Sequence, residues 1–199
     1  TNDVNQLGKL DVRILRAVQG IEGVKEAFPL IITGATCNYK NGTSGSITLL
    51  GVDQNRFNAL LDKDKIKIGN LSALQQDGAI SAEYYEEKNL GYNIALGTDF
   101  EINGKRAFFA LQTIGFRGFG SSYSVTTIER ARFFSNQSSN TISAVLVNVN
   151  SRKEINDVIN TINSSIYGVR AWPSKKLANS SVKKILSSSG IALSTGTLI

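Results

Sequence analysis

Two short stretches hold the residues of this chain best suited to chemistry. The first is Glu83-Tyr-Tyr-Glu-Glu-Lys88. The spacing predicts a helix over residues 82–90, with Glu83 and Glu87 four apart on one face. Two carboxylates can share acid–base work, but that chemistry needs a cleft and a perturbed pKa. Without a cleft, Glu83, Glu86, Glu87 and Lys88 form a solvated helix face, and this is the reading the sequence favours. The second stretch is Phe116-Arg117-Gly-Phe119-Gly, two aromatics and an arginine among glycines. Aromatic and arginine side chains dominate interface hot spots, and glycines keep such a loop adaptable. Phe116, Arg117 and Phe119 are therefore the candidate partner contact. They could also stack nucleobases. The plainer alternative has both phenylalanines tucked beneath the surrounding unit.

The remaining inventory excludes most catalysis. The chain has no histidine, so histidine triads, histidine metal sites and imidazole acid–base chemistry are absent. Cys37 is the single cysteine, which rules out an intrachain disulfide and a cysteine zinc cluster. It lies in an apolar run, 30–37, and reads as a structural thiol rather than a nucleophile. No Gly-x-Ser-x-Gly elbow occurs. The spaced glycines of Gly115-Phe-Arg-Gly-Phe-Gly120 lack the Lys-Ser/Thr of a phosphate cradle. We expect no enzyme, no cofactor and no bound metal.

The elements that must position these residues follow from composition and pattern. With 199 residues, 41% hydrophobic and 19% charged, the chain can bury a core as one large domain or two small ones. Its formal charge of +6 permits an anionic partner without indicating one. The first element is a helix over 7–20, followed by a long strand over 24–39. Asn41-Gly42 turns the chain into a returning strand over 46–52. A second hairpin flanks Asn103-Gly104, and a helix over 127–134 follows. The last quarter reads as strand 142–149, a helix with apolar stripe Ile155, Val158, Ile159 and Ile162, and strand 169–172. Ser174 would cap a closing helix. Both ends thus resemble one α+β unit split by a β-rich insert.

The order of these segments resembles the MacB-like periplasmic core domain of MacB/FtsX-type ABC-transporter permeases, over nearly the whole chain. Gly23-Val-Lys-Glu-Ala-Phe-Pro29 is similar to a Gly-Val motif ending in proline before the first long strand. Leu50-Gly-Val-Asp53, followed by Phe57, resembles the motif that ends the second strand. Ala79-Ile-Ser81, Leu90-Gly91 and residues 97–104 resemble the start of the insert. Residues 125–132, 144–149 and 169–172 resemble the return to the first unit. The chain departs from the pattern at Gly97-Thr98, where the family commonly has Gly-Asp, and in Leu111-Gln-Thr-Ile-Gly115.

The resemblance implies an α+β fold in two parts. A porter-like unit would come from 1–61 and 136–199, and a sabre-like β-rich insert from 62–135. It implies an extracytoplasmic domain of a bacterial inner-membrane permease, facing the periplasm or exterior. Its partners would be a cytoplasmic ATP-binding subunit or domain, a periplasmic adaptor protein, a second permease copy in a homodimer, and the membrane through flanking helices, with no nucleic acid. The start at Thr1 and the absence of methionine suggest a piece of a longer polypeptide. The uncharged residues 190–199, after Lys183-Lys184, would begin a membrane helix. Arg170, Lys175, Lys176, Lys183 and Lys184 would then lie near lipid headgroups. The alternative is a free-standing α+β ligand-binding or sensor domain.

Overall fold

A computed structural model describes residues 9–118, 121–173 and 191–195. In chain order the elements begin with β1 (Leu10–Asp11), α1 (Arg13–Gln19), β2 (Val24–Asn38), β3 (Ser44–Val52), β4 (Ile66–Ile68) and β5 (Ala79–Glu83). Next come α2 (Glu87–Leu90), β6 (Asp99–Ile102), β7 (Lys105–Thr113), β8 (Arg117–Gly118) and β9 (Ser121–Thr127). The remainder are α3 (Ile128–Ser135), β10 (Thr141–Ile142), β11 (Ala144–Val149), α4 (Ile155–Ser165), β12 (Val169–Pro173) and β13 (Ile191–Thr195). The fold class is mixed α+β.

Packing divides the chain into two compact units, 1–30 with 138–199, and 31–137. The first division falls within β2, where the sequence expectation is a domain boundary at 61/62. The reason is pairing: Ile31 to Asn38 lie opposite Gly51 to Ser44, and β3 in turn pairs with β9. The hairpin strands thereby pack with the middle of the chain. The second boundary falls at 137/138, against 135/136.

In the first unit the sheet runs β12-β13-β11-β2, every neighbour antiparallel. Helix α4 buries Val158, Ile159 and Ile162, as its stripe demands. Gly23 explains its own place in the Gly-Val motif. Its φ is +86°, and a Cβ there would come within 2.8 Å of Val158 Cγ2. Asp11 starts α1 by accepting the Arg13 N–H at 2.8 Å. The Arg13 side-chain hydrogen bond also lowers the Asp11 pKa to about 2. Residues 191–195 are a strand between β11 and β12, not the opening of a membrane helix. Among the described residues no helix is long and apolar enough to cross a membrane. Ser174, Lys175, Lys176, Lys183 and Lys184 lie outside the described residues.

In the second unit β3 and β9 are parallel, β5 and β7 are parallel, and β6–β7 form the expected hairpin. Its turn residues Asn103 and Gly104 have φ of 49° and 76°, the left-handed pair such a tight turn requires. The core joins Cys37, Ile47, Leu49, Ile80, Phe100, Ile102, Phe109 and Phe134, among others. Phe100 and Phe109 stack at 4.3 Å, as do Tyr39 and Tyr92. Helix α3 lies close against β3 because Gly51 has no side chain: a Cβ there would meet Ala131 Cβ at 2.5 Å.

Candidate functional site

The predicted helix over 82–90 is replaced by three different structures. β5 continues to Glu83, a single 3-10 turn covers Tyr84–Glu86, and α2 is one turn long. Glu83 and Glu87 consequently share no face. Glu83 is 1% exposed, whereas Glu87 is exposed. Ser81 is not a helix cap either, since it sits inside β5.

Burying a carboxylate is costly unless hydrogen bonds replace its water. Glu83 receives them from one loop. Its Oε2 accepts from Thr113 Oγ1 at 3.0 Å and from the Phe116 N–H at 2.9 Å, and its Oε1 accepts from the Gly115 N–H at 3.0 Å. Glu86, also buried, accepts from Ser122 Oγ at 2.9 Å. Ser122 lies opposite Arg117 in the β8–β9 ladder. Two carboxylates of one short segment therefore hold both strands of that hairpin at its base. Around them, hydroxyls join β5 to β9: Ser81 Oγ accepts the Val125 N–H at 2.8 Å, and Thr126 Oγ1 donates to the Ala79 carbonyl at 2.8 Å. These side-chain bonds occupy backbone groups that carry no ladder between the two strands.

Between the inward glutamates stand two outward tyrosines. Tyr84 is 37% exposed and Tyr85 54%. The Lys67 ammonium lies 2.7 Å from the Tyr84 ring centroid, a cation–π contact, and the two tyrosine rings meet edge to face at 5.3 Å. An exposed aromatic pair with a lysine suits contact with another molecule.

The three candidate contact residues have different fates. Phe116 is 7% exposed and meets Tyr123 edge to face at 6.0 Å, so its ring belongs to the interior. That corrects its expected place in the contact; the loop's backbone is bound by Glu83 and draws the ring inward. The backbone of Arg117 is in β8. Phe119 lies outside the described residues. Cys37 is fully buried, and burial pushes its thiol up to about 12. At the surface, Asp99 accepts from Arg106 and lies 3.6 Å from Lys40; the Arg106 hydrogen bonds hold its carboxyl below the ordinary carboxylate range. Among the described residues no group of three or more acidic or sulfur side chains could hold a metal.

The carboxylates serve as hydrogen-bond anchors for a hairpin, and the exposed chemistry is aromatic. The mixed α+β fold around them is shared with solved domains of other proteins. No protein-family model matches the chain, and no curated protein sequence does. Solved structures do. One is the extracellular domain of the noncanonic ABC-type transporter YknZ from Gram-positive bacteria, at 18% identity and TM-score 0.57, covering 79% of this chain and 80% of that one. Another is the periplasmic region of MacB from Actinobacillus actinomycetemcomitans, at 14% identity and TM-score 0.56, covering 80% and 75%. A third is a domain of a Porphyromonas gingivalis protein described as a permease, at 11% identity and TM-score 0.52, covering 96% and 80%.

Proposed function

We propose that this chain is the extracytoplasmic domain of an ABC-transporter permease and has no catalytic site of its own. The observation that carries this is the likeness of fold, over about four-fifths of the chain or more, to an extracellular domain of an ABC-type transporter, the periplasmic region of MacB and a domain of a protein described as a permease. The buried glutamates agree with it, because their lone pairs go to holding a hairpin. In this reading ATP-driven movement inside the cell becomes movement of the domain outside the membrane, and export or release of a substrate follows. The partners are an ATP-binding subunit, an adaptor protein outside the membrane, and a second permease copy. The porter-like unit comes from both chain ends and the sabre-like insert from the middle. Contact with the adaptor falls to Arg117 and Phe119, joined by Tyr84 and Tyr85, with Phe116 as the internal anchor.

The test uses the natural full-length protein in its own membrane. Protease added from outside should cut within this domain, and the detergent-extracted protein should copurify with an ATPase whose turnover falls when the domain is deleted. A full-length protein without hydrophobic spans, or a domain cut only from the cytoplasmic side, would overturn the reading.

A further inference from the structure

The chain contains two Asn-Gly pairs, Asn41-Gly42 and Asn103-Gly104, and each forms the turn of a hairpin. Such a pair can modify itself. The glycine nitrogen attacks the asparagine Cγ, the C–N bond of the side-chain amide breaks, and ammonia leaves behind a cyclic imide. Water then opens either carbonyl of the ring. One opening gives aspartate, and the other gives isoaspartate, in which the main chain runs through the side chain. Glycine permits the attack because no Cβ stands in its way. The amide and the following nitrogen must swing together, so a fold that fixes both suppresses the reaction until it opens locally.

The fold treats the two pairs differently. Asn103 is bound to two distant elements. Its N–H donates to the Thr36 carbonyl at 2.9 Å, its Oδ1 accepts the Thr36 N–H at 3.0 Å, and its Nδ2 donates to the Phe134 carbonyl at 3.0 Å. Freeing that amide means detaching the turn from β2 and from the end of α3. Asn41 lies beyond the last pair of the β2–β3 ladder, Asn38 with Ser44. Its Oδ1 accepts the Thr43 N–H at 3.1 Å and the Thr43 hydroxyl at 2.7 Å, partners within the same turn that travel with it. Beyond that turn, among the described residues, its amide is held by Nδ2 donating to the Gly91 carbonyl at 3.0 Å. Asn41 is exposed, and a Cβ on Gly42 would meet nothing within 4 Å, so the tip stands in open space. The closed turn still ties the attacking nitrogen, because the Gly42 N–H donates to the Tyr39 carbonyl at 2.9 Å. Reaction at Asn41 therefore waits on opening of the tip alone.

We propose that Asn41 is a self-modification site, converted by the Gly42 nitrogen and water to aspartate and isoaspartate, and that conversion detaches the β2–β3 tip from α2. Gly91 is the residue that ends α2. Once the amide is a carboxylate, acceptor faces acceptor across the former Asn41–Gly91 bond, and the bond is lost. The isoaspartyl product also lengthens the main chain at the turn. Asn103 is spared by its bonds to β2 and α3.

The test incubates the folded 199-residue chain at mildly alkaline pH beside two synthetic peptides, spanning 38–45 and 100–107. Peptide mass mapping follows amide-to-acid conversion, and isoaspartyl methyltransferase labelling identifies the isoaspartate. The two peptides should convert at similar rates. In the folded chain Asn41 should convert about tenfold faster than Asn103, the ratio given by a difference of roughly one to two net hydrogen bonds in local opening. Asn41→Asp reads the consequence: the carbon resonance of the Gly91 carbonyl should move upfield, as loss of its donor requires, while the resonances of 144–149 stay in place. Equal rates at the two sites in the folded chain, faster conversion at Asn103, or an Asn41 that persists while its peptide converts overturns the site. An unchanged Gly91 carbonyl in folded Asn41→Asp overturns the detachment.

Discussion

The Phe116 backbone N–H donates to Glu83 Oε2 at 2.9 Å, joining the end of one strand to a loop more than thirty residues away in sequence. The same carboxylate holds Gly115 and Thr113, so the start of β8 is positioned by one side chain. This bond is the centre of the candidate site and yields the first prediction.

Glu83→Gln removes one acceptor oxygen and places an NH2 opposite a backbone N–H. One of the Gly115 and Phe116 N–H groups is then buried unpaired, which costs roughly 1–3 kcal/mol. Urea unfolding should show a lower midpoint, and amide exchange should quicken in residues 113–123 before it does in 144–149. A midpoint equal to that of the unsubstituted protein would show that Glu83 is not the anchor.

Phe116→Ala and Tyr85→Ala should differ in what they damage. Truncating a buried phenylalanine costs about 3–5 kcal/mol, whereas an exposed surface substitution stays within about 0.5 kcal/mol. Thermal unfolding of the two variants measures the contrast. Copurification of the full permease with its adaptor supplies the other half: Tyr85→Ala should weaken it while the domain remains folded. An equal loss of stability in both variants would contradict the assignment of inside and outside.

Local signals made some of this legible. Asn103-Gly104 announced its turn because few other residue pairs adopt positive φ twice. The α4 stripe announced its buried face by period alone. The segment at Glu83 did not, since three glutamates and a lysine read as a wet helix when their acceptors' partners, Thr113, Gly115, Phe116 and Ser122, are distant in sequence. β13 is hidden in the sequence for a related reason: uncharged apolar residues suit a membrane helix and a central strand alike, and only pairing with Leu146 and Trp172 decides it. Leu50-Gly-Val-Asp53 was visible as a motif, but its physical cause lies in the packing of α3.

Gly51→Ala tests that cause. The new Cβ would meet Ala131 Cβ at 2.5 Å and Ile128 Cα at 3.2 Å, so α3 must shift from β3. Overpacking of this kind costs about 1–3 kcal/mol. Ala131→Gly should partly restore stability in the double variant, because it removes the nearer atom. Chemical denaturation of the four proteins forms a double-mutant cycle. Simple addition of the two effects would mean that the helix is not seated through this pair.

Cys37 provides the pH prediction. Burial raises its thiol from an ordinary 9.0 to about 12, so the native state stays protonated where the unfolded chain ionises. The sign follows from proton counts. Below pH 9 both states hold the proton and stability does not depend on this group. Between about 9 and 12 the unfolded state alone has released it, and stability falls by about 1.4 kcal/mol per pH unit. Cys37→Ser does not isolate the effect, because it buries a hydroxyl; Cys37→Ala does, at the cost of a small cavity. Urea midpoints from pH 8 to 11 should fall more steeply for the unsubstituted protein than for C37A. In parallel, a thiol reagent at pH 8 should label the single cysteine only after denaturant is added. Rapid labelling of the native protein, or parallel pH profiles for the two proteins, would show that the thiol is not sealed in the core.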